Sequence, residues 1–217
     1  MEDKRIALAV CARMLGYPEE GFHADKDELF AALRTGIGDS GLRRRTERAL
    51  EPLYGVLLKD LRETYVWTFD WKEKTGLYLT AHELGDSRER GAALILLQHI
   101  VRDAGFRPAE GELSDYIPML LELLAARPDN VHVQALELRL AAAVKEISDH
   151  LPEDSPYKGL FGLLLGDVFP PLSEEQIMKL TSKRETADLD ELPYPILFGI
   201  NESPSEQCGF AAYKKYD

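Results

Sequence analysis

Cysteine is scarce in this chain: two residues in 217, Cys11 and Cys208, lie near opposite ends with no neighbouring thiol. A disulfide framework has no support in that spacing, and both thiols are expected to be free. Cys11 falls within an apolar helical stripe and reads as a core residue, whereas Cys208 belongs to an irregular tail. No apolar run reaches the roughly 18 residues that span a bilayer. The opening MEDKRIALAV places acids before any apolar stretch and has no cleavable apolar segment of the secretory kind. The expectation is a cytoplasmic protein without stable membrane association. Bases are outnumbered, 26 against 38 acids for a net charge of −12, which repels phosphate backbones and argues against nucleic acid as a partner. The one dense basic cluster, Arg43 to Arg45, fits a solvated helix entrance.

Catalytic patterns are missing as well. No serine sits in G-x-S-x-G. HELGD, from His82, would need histidine at position 86 to complete the zinc-binding H-E-x-x-H face, and Asp86 stands there. His23, His99, His132 and His150 are scattered without ligand spacing. Gly36, Gly38 and Gly41 satisfy G-x-G-x-x-G, yet the preceding LFAALRT is helical and no βαβ pattern follows, so a dinucleotide site is not supported. No cofactor is expected to be held by the chain. Carboxylates are abundant, and acid–base or metal chemistry around Glu112 and Asp115 stands as an alternative reading. A helical adaptor for some other protein is a second.

What is present is helical periodicity. Ile6, Val10, Met14 and Leu15 mark a first helix stopping at Gly16, and Leu29, Phe30 and Leu33 a short second. Leu50, Leu53, Tyr54, Leu57, Leu58, Leu61 and Tyr65 keep to one face and predict a single helix with Pro52 near its start. TYVWTF, residues 64–69, is the only strand candidate; since the preceding stripe arrives in phase at Tyr65, a continued helix is favoured. Asp86 and Glu89 have the form of a capping box opening a helix to Gly105. Ser114 or Asp115 fits the cap of the next, with Pro118 in its first turn, and SEEQ from Ser173 the cap of the last. Val133 to Ile147 and Tyr157 to Leu165 are further apolar helices. The expected fold is an all-α, single-domain bundle over residues 1–180, with an irregular tail over 181–217.

The stretch from Tyr65 to Glu122 has the texture of a site without the parts of an active site. Its aromatics Tyr65, Phe69, Tyr78 and Tyr116 could wall an apolar groove, with Asp86, Arg88, Arg90, Glu112 and Asp115 at a charged rim, as in helix-in-groove recognition. The plainer readings are core aromatics and helix caps.

In this block the chain resembles the nitrate reductase molybdenum cofactor assembly chaperones of the NarJ type. The matching features are Tyr65 with Phe69 and Asp70; Leu77-Tyr78-Leu79; Gly85-Asp86 with Arg88, Arg90 and Gly91; Gly105; ELSDYIP from Glu112 to Pro118; and Leu121-Glu122. Leu15 with Tyr17-Pro18 and SPYKGLFGLLL from Ser155 extend the likeness over roughly residues 6–168. Ser114 stands where the family usually has proline, Tyr116 where histidine is common, and Trp67 where an acid is more usual. The resemblance implies an all-helical cytoplasmic chaperone, not an enzyme. It implies as partner the N-terminal peptide of a molybdoenzyme catalytic subunit, with molybdenum cofactor biosynthesis proteins as further partners. Peptide binding is then expected at Tyr65, Phe69, Asp70, Tyr78, Asp86, Arg88, Arg90, Glu112, Asp115, Tyr116 and Glu122.

Overall fold

A computed structural model describes residues 2–108, 111–126 and 130–181. Helix α1 (Glu2–Met14) forms where Ala7, Leu8, Val10, Cys11 and Met14 share a buried face. Acids in its first turn and Arg13 in its last oppose the charges of the helix ends. Burial pushes the Cys11 thiol up to about 12, as expected of a core cysteine. Helix α7 (Ile117–Ala126) is apolar almost all round and occupies the centre. It packs along α1, and Arg5 Nε donates to the Ala125 carbonyl at 2.7 Å.

Helices α2 (Lys26–Gly36) and α3 (Ser40–Tyr54) are joined by the glycine-containing segment. Asp39 caps α3, accepting from Gly41 N at 2.6 Å and Leu42 N at 3.0 Å, and those N–H groups hold its carboxyl below the usual range. GIGDSG is thus a helix-to-helix turn. The arginine cluster lies in the first turns of α3, where Arg45 pairs with Asp167 at 2.7 Å.

The single helix expected through Leu50 to Tyr65 is two. α3 ends at Tyr54, and α4 (Leu58–Tyr65) begins after a break in which Leu57 is 74% exposed. Pro52 sits in the last turn of α3, not near a start; it cannot donate to the Arg48 carbonyl, and Gly55 N closes the helix on Glu51 O and Pro52 O. The apolar stripe keeps its phase across the break, so periodicity alone did not reveal it.

The helical reading of TYVWTF holds, in a modified form: α4 runs into a π-helical turn, Val66–Asp70, closed by Trp71 N to Val66 O at 3.2 Å. The β-type pairing occurs elsewhere, as an antiparallel bridge between Tyr78 and Tyr116. Among the described residues there is no longer strand, and the fold is an all-α, single-domain bundle.

The remaining helices are α5 (Leu79–Leu84), α6 (Glu89–Asp103), α8 (Val131–Gln134), α9 (Leu136–His150), α10 (Lys158–Leu163) and α11 (Glu174–Thr181), with a second π turn at Leu164–Val168; α8 and α9 pack on α7, and α5, α10 and α11 on α9. The capping box at Ser173 is present: Ser173 N donates to Gln176 Oε1 at 2.9 Å and Gln176 N to Ser173 Oγ at 3.2 Å. The one expected at Asp86 is not. Asp86 is exposed, and Ser87 Oγ accepts from Glu89 N at 3.2 Å. No helix of the described residues is long and apolar enough to cross a membrane. Residues 182–217, expected to be an irregular tail, and Cys208 within them, lie outside the described residues.

Candidate functional site

The π turn divides its side chains between two environments. Thr68 and Phe69 are buried, while Trp67 and Trp71 are 60% and 69% exposed with ring centroids 4.8 Å apart. Phe69 meets Tyr65 at 5.0 Å and Tyr157 at 4.9 Å, edge to face, a favoured arrangement for aromatic quadrupoles. Tyr65 is itself buried, and its hydroxyl donates to the Leu15 carbonyl at 3.2 Å. Tyr65 and Phe69 are therefore floor and core rather than an open wall.

The half-buried pair is Tyr78 and Tyr116. Leu79 N donates to Asp115 O and Ile117 N to Leu77 O, both at 2.9 Å, which sets the two tyrosines side by side at 5.8 Å between rings. The hydroxyls of Tyr116 and Tyr65 are 3.0 Å apart. The Tyr78 hydroxyl donates to Glu112 Oε1 at 3.2 Å, an oxygen that also receives Leu113 N at 2.9 Å. Burial, then the charge of Glu112, pushes Tyr78 up to about 12. Tyr116 is raised by burial, and Asp70 by burial and by Glu112. The structure thus brings Tyr65, Asp70, Tyr78, Glu112 and Tyr116 into one cluster, in which no base pairs with Asp70 or Glu112 among the described residues.

Asp115 and Arg90 form a second cluster, directed inward. Asp115 is fully buried, and its Oδ2 accepts from Thr80 N at 3.2 Å and Thr80 Oγ1 at 2.5 Å. Arg90 Nε donates to Thr80 Oγ1 at 3.1 Å and its Nη2 lies 3.9 Å from the same carboxylate oxygen. Asp115 therefore caps α5, not the helix that follows it in sequence. Ser114, the other candidate cap, donates instead to the Leu94 carbonyl of α6 at 2.8 Å. Both corrections have one cause: the Tyr78–Tyr116 bridge turns these side chains toward upstream helices.

Asp86, Arg88 and Glu122 are exposed, and no described hydrogen bond or ion pair joins them to either cluster. Sequence reasoning missed Tyr17, Arg62, Trp67 and Trp71, which line a cleft beside the cluster; the four-residue spacing of the tryptophans was the available signal. Among the described residues no group of three or more His, Cys, Asp or Glu side chains converges as a metal site. The arrangement offers apolar surface, hydroxyls and carboxylates, a chemistry of adhesion.

No family model matches the chain. Individual proteins do. It is 34% identical over 164 residues to the probable nitrate reductase molybdenum cofactor assembly chaperone NarJ of Bacillus subtilis, covering 75% of this chain and 88% of that protein. NarJ of Escherichia coli K12 is 31% identical over 169 residues, 74% and 68% of the two chains. The probable chaperone NarW of the same strain is 28% identical over 182 residues, 83% and 76%. By that identity and coverage, together with the all-α fold, the chain belongs to the family of nitrate reductase molybdenum cofactor assembly chaperones.

Proposed function

We propose that this protein is a NarJ-type chaperone that binds the N-terminal segment of a molybdoenzyme catalytic subunit, a respiratory nitrate reductase or a relative. By holding that segment in the cytoplasm it delays assembly until the molybdenum cofactor has been inserted, and it performs no chemistry of its own. The observation that carries the reading is the Tyr78–Tyr116 pair, half-buried and bordered by Glu112 and Asp70. An apolar, hydrogen-bonding surface edged by unneutralised carboxylates suits an amphipathic peptide with basic residues. Asp86, Arg88 and Glu122 would serve as outer contacts, and Asp115 with Arg90 would act by holding the bridge in place.

Isothermal titration of the intact chain with a synthetic peptide from the N-terminus of the cognate catalytic subunit tests this. Saturable binding is expected, weakened roughly thirtyfold by Tyr116→Ala or Tyr78→Ala, the usual consequence of losing an aromatic anchor. No binding to the folded wild type would overturn the reading.

A further inference from the structure

Of the three 15-residue helices, α6 buries the fewest side chains: only Leu97 and Val101, against six in α3 and seven in α9. Its sequence does not call for that exposure, since its centre reads GAALILLQHIV. It packs chiefly on the short α5, and Ile95 and Leu96 are left 59% and 58% exposed. Apolar side chains placed singly at a surface are ordinary, whereas a run of them along one helix face marks an interaction site.

The charges on that face narrow the partner. Arg88, Ala92, Ile95, His99 and Arg102 recur at helical spacing with Leu96 and Asp103 on their flank, and all are exposed. Charge stands only at the two ends of the outward face, Arg88 and Glu89 at the start, Arg102 and Asp103 at the close. Turned end for end about the point between Ile95 and Leu96, this pattern is its own complement. Arg88 stands seven residues before Ile95 and Asp103 seven after Leu96; for Glu89 and Arg102 the interval is six, and for Ala92 and His99 three. An antiparallel copy centred there sets Ile95 against Leu96, the small Ala92 against the His99 ring, and a base against an acid at both ends. The opposed helix dipoles favour the same arrangement. A parallel copy in register would instead set like charges together.

We propose that the outward face of α6 docks on the same face of a second copy of this chain, antiparallel about a two-fold axis between Ile95 and Leu96. Such an interface is isologous and closes at two copies. Ala92, Ile95 and Leu96 supply the apolar contact. Register comes from Arg88 against the second copy's Asp103 and Glu89 against the second copy's Arg102. One helix per copy makes a small interface, and each copy carries a net charge of −12, so a dissociation constant on the order of 10 μM is expected. Docking here is independent of the peptide-binding reading above and shares with it Arg88 alone.

Sedimentation equilibrium of the intact chain, at concentrations from about 1 to 200 μM, tests this. A monomer–dimer equilibrium is expected, and Ile95→Lys, with unchanged circular dichroism, should weaken it at least about tenfold, because the symmetry buries the added charge twice. Arg88→Asp and Asp103→Arg each set like charges opposite one another and should each weaken self-association roughly tenfold, while an equimolar mixture of the two variants should restore it. Monomer mass at every concentration would overturn the dimer. A dimer unaffected by Ile95→Lys would place the contact on another face, and mixed variants that fail to associate would overturn the antiparallel register. The catalytic-subunit peptide is expected to bind Ile95→Lys as it binds the wild type. Affinity lost in that variant alone would give the face to the client in place of a second copy.

Discussion

Tyr65 and Tyr116, 51 positions apart, meet hydroxyl to hydroxyl at 3.0 Å. Each hydroxyl has a single proton to give. Tyr65 directs its own toward the Leu15 carbonyl at 3.2 Å, which leaves Tyr116 as the donor between the two rings. The chain Tyr116 to Tyr65 to Leu15 thereby fastens the bridge segment to α4 and to the end of α1. A double-mutant cycle of Tyr65→Phe and Tyr116→Phe, followed by urea unfolding, should give a coupling of about 1 kcal/mol. Strictly additive losses would show that the bond contributes nothing.

Asp115 is expected to be the most sensitive polar position of the block. Its carboxylate caps α5 through Thr80 and faces Arg90 without access to water. Asp115→Ala leaves the Thr80 N–H and the guanidinium short of an acceptor and should cost about 2–3 kcal/mol in urea unfolding. Asp115→Asn keeps a carbonyl for Thr80 and should cost less. Equal losses in the two variants would place the whole effect in the charge rather than the cap.

This cap also shows where sequence reading stops. α1, the Ser173 capping box, the buried Cys11 and the helical phase through Tyr65 were legible because each is encoded within a few residues. The acceptor role of Asp115 is not local: Thr80 lies 35 positions upstream, and nothing in ELSDYIP announces that the chain pairs with Leu77–Leu79. The break at Gly55 was hidden for the opposite reason, because the apolar stripe on either side stays in phase. Nothing local in Trp67 and Trp71, four residues apart, says which face meets solvent; the π turn sets it.

Packing between α3 and α10 gives a prediction independent of the site. A Cβ on Gly159 would lie 3.0 Å from Ala49 Cα and 3.3 Å from Ala49 O, and backbone atoms cannot move aside as a side-chain tip can. Gly159→Ala gains helix propensity yet should destabilise by about 1–3 kcal/mol, as overpacking does. Gly162→Ala, in the same helix with nothing within 4 Å of its Cβ, is the control and should be stabilising by up to about 1 kcal/mol. Similar melting shifts of the same sign in both variants would refute the close crossing.

Tyr78 supplies the pH test. Its hydroxyl is raised from 10.0 to about 12, by burial first and by the charge of Glu112 second. The folded chain therefore keeps this proton where the unfolded chain has lost it. The resulting stabilisation is complete below pH 10 and falls away as pH rises through about 12, since over that interval unfolding releases a proton. Glu112→Gln removes the repulsion but not the burial, so Tyr78 should then titrate between the two values. Ultraviolet titration of tyrosinate, comparing wild type with Tyr78→Phe to isolate the Tyr78 step, follows this directly. A Tyr78 step near 10 in the wild type would mean that the hydroxyl is open to water, and the half-buried surface assigned to the tyrosine pair would have to be abandoned.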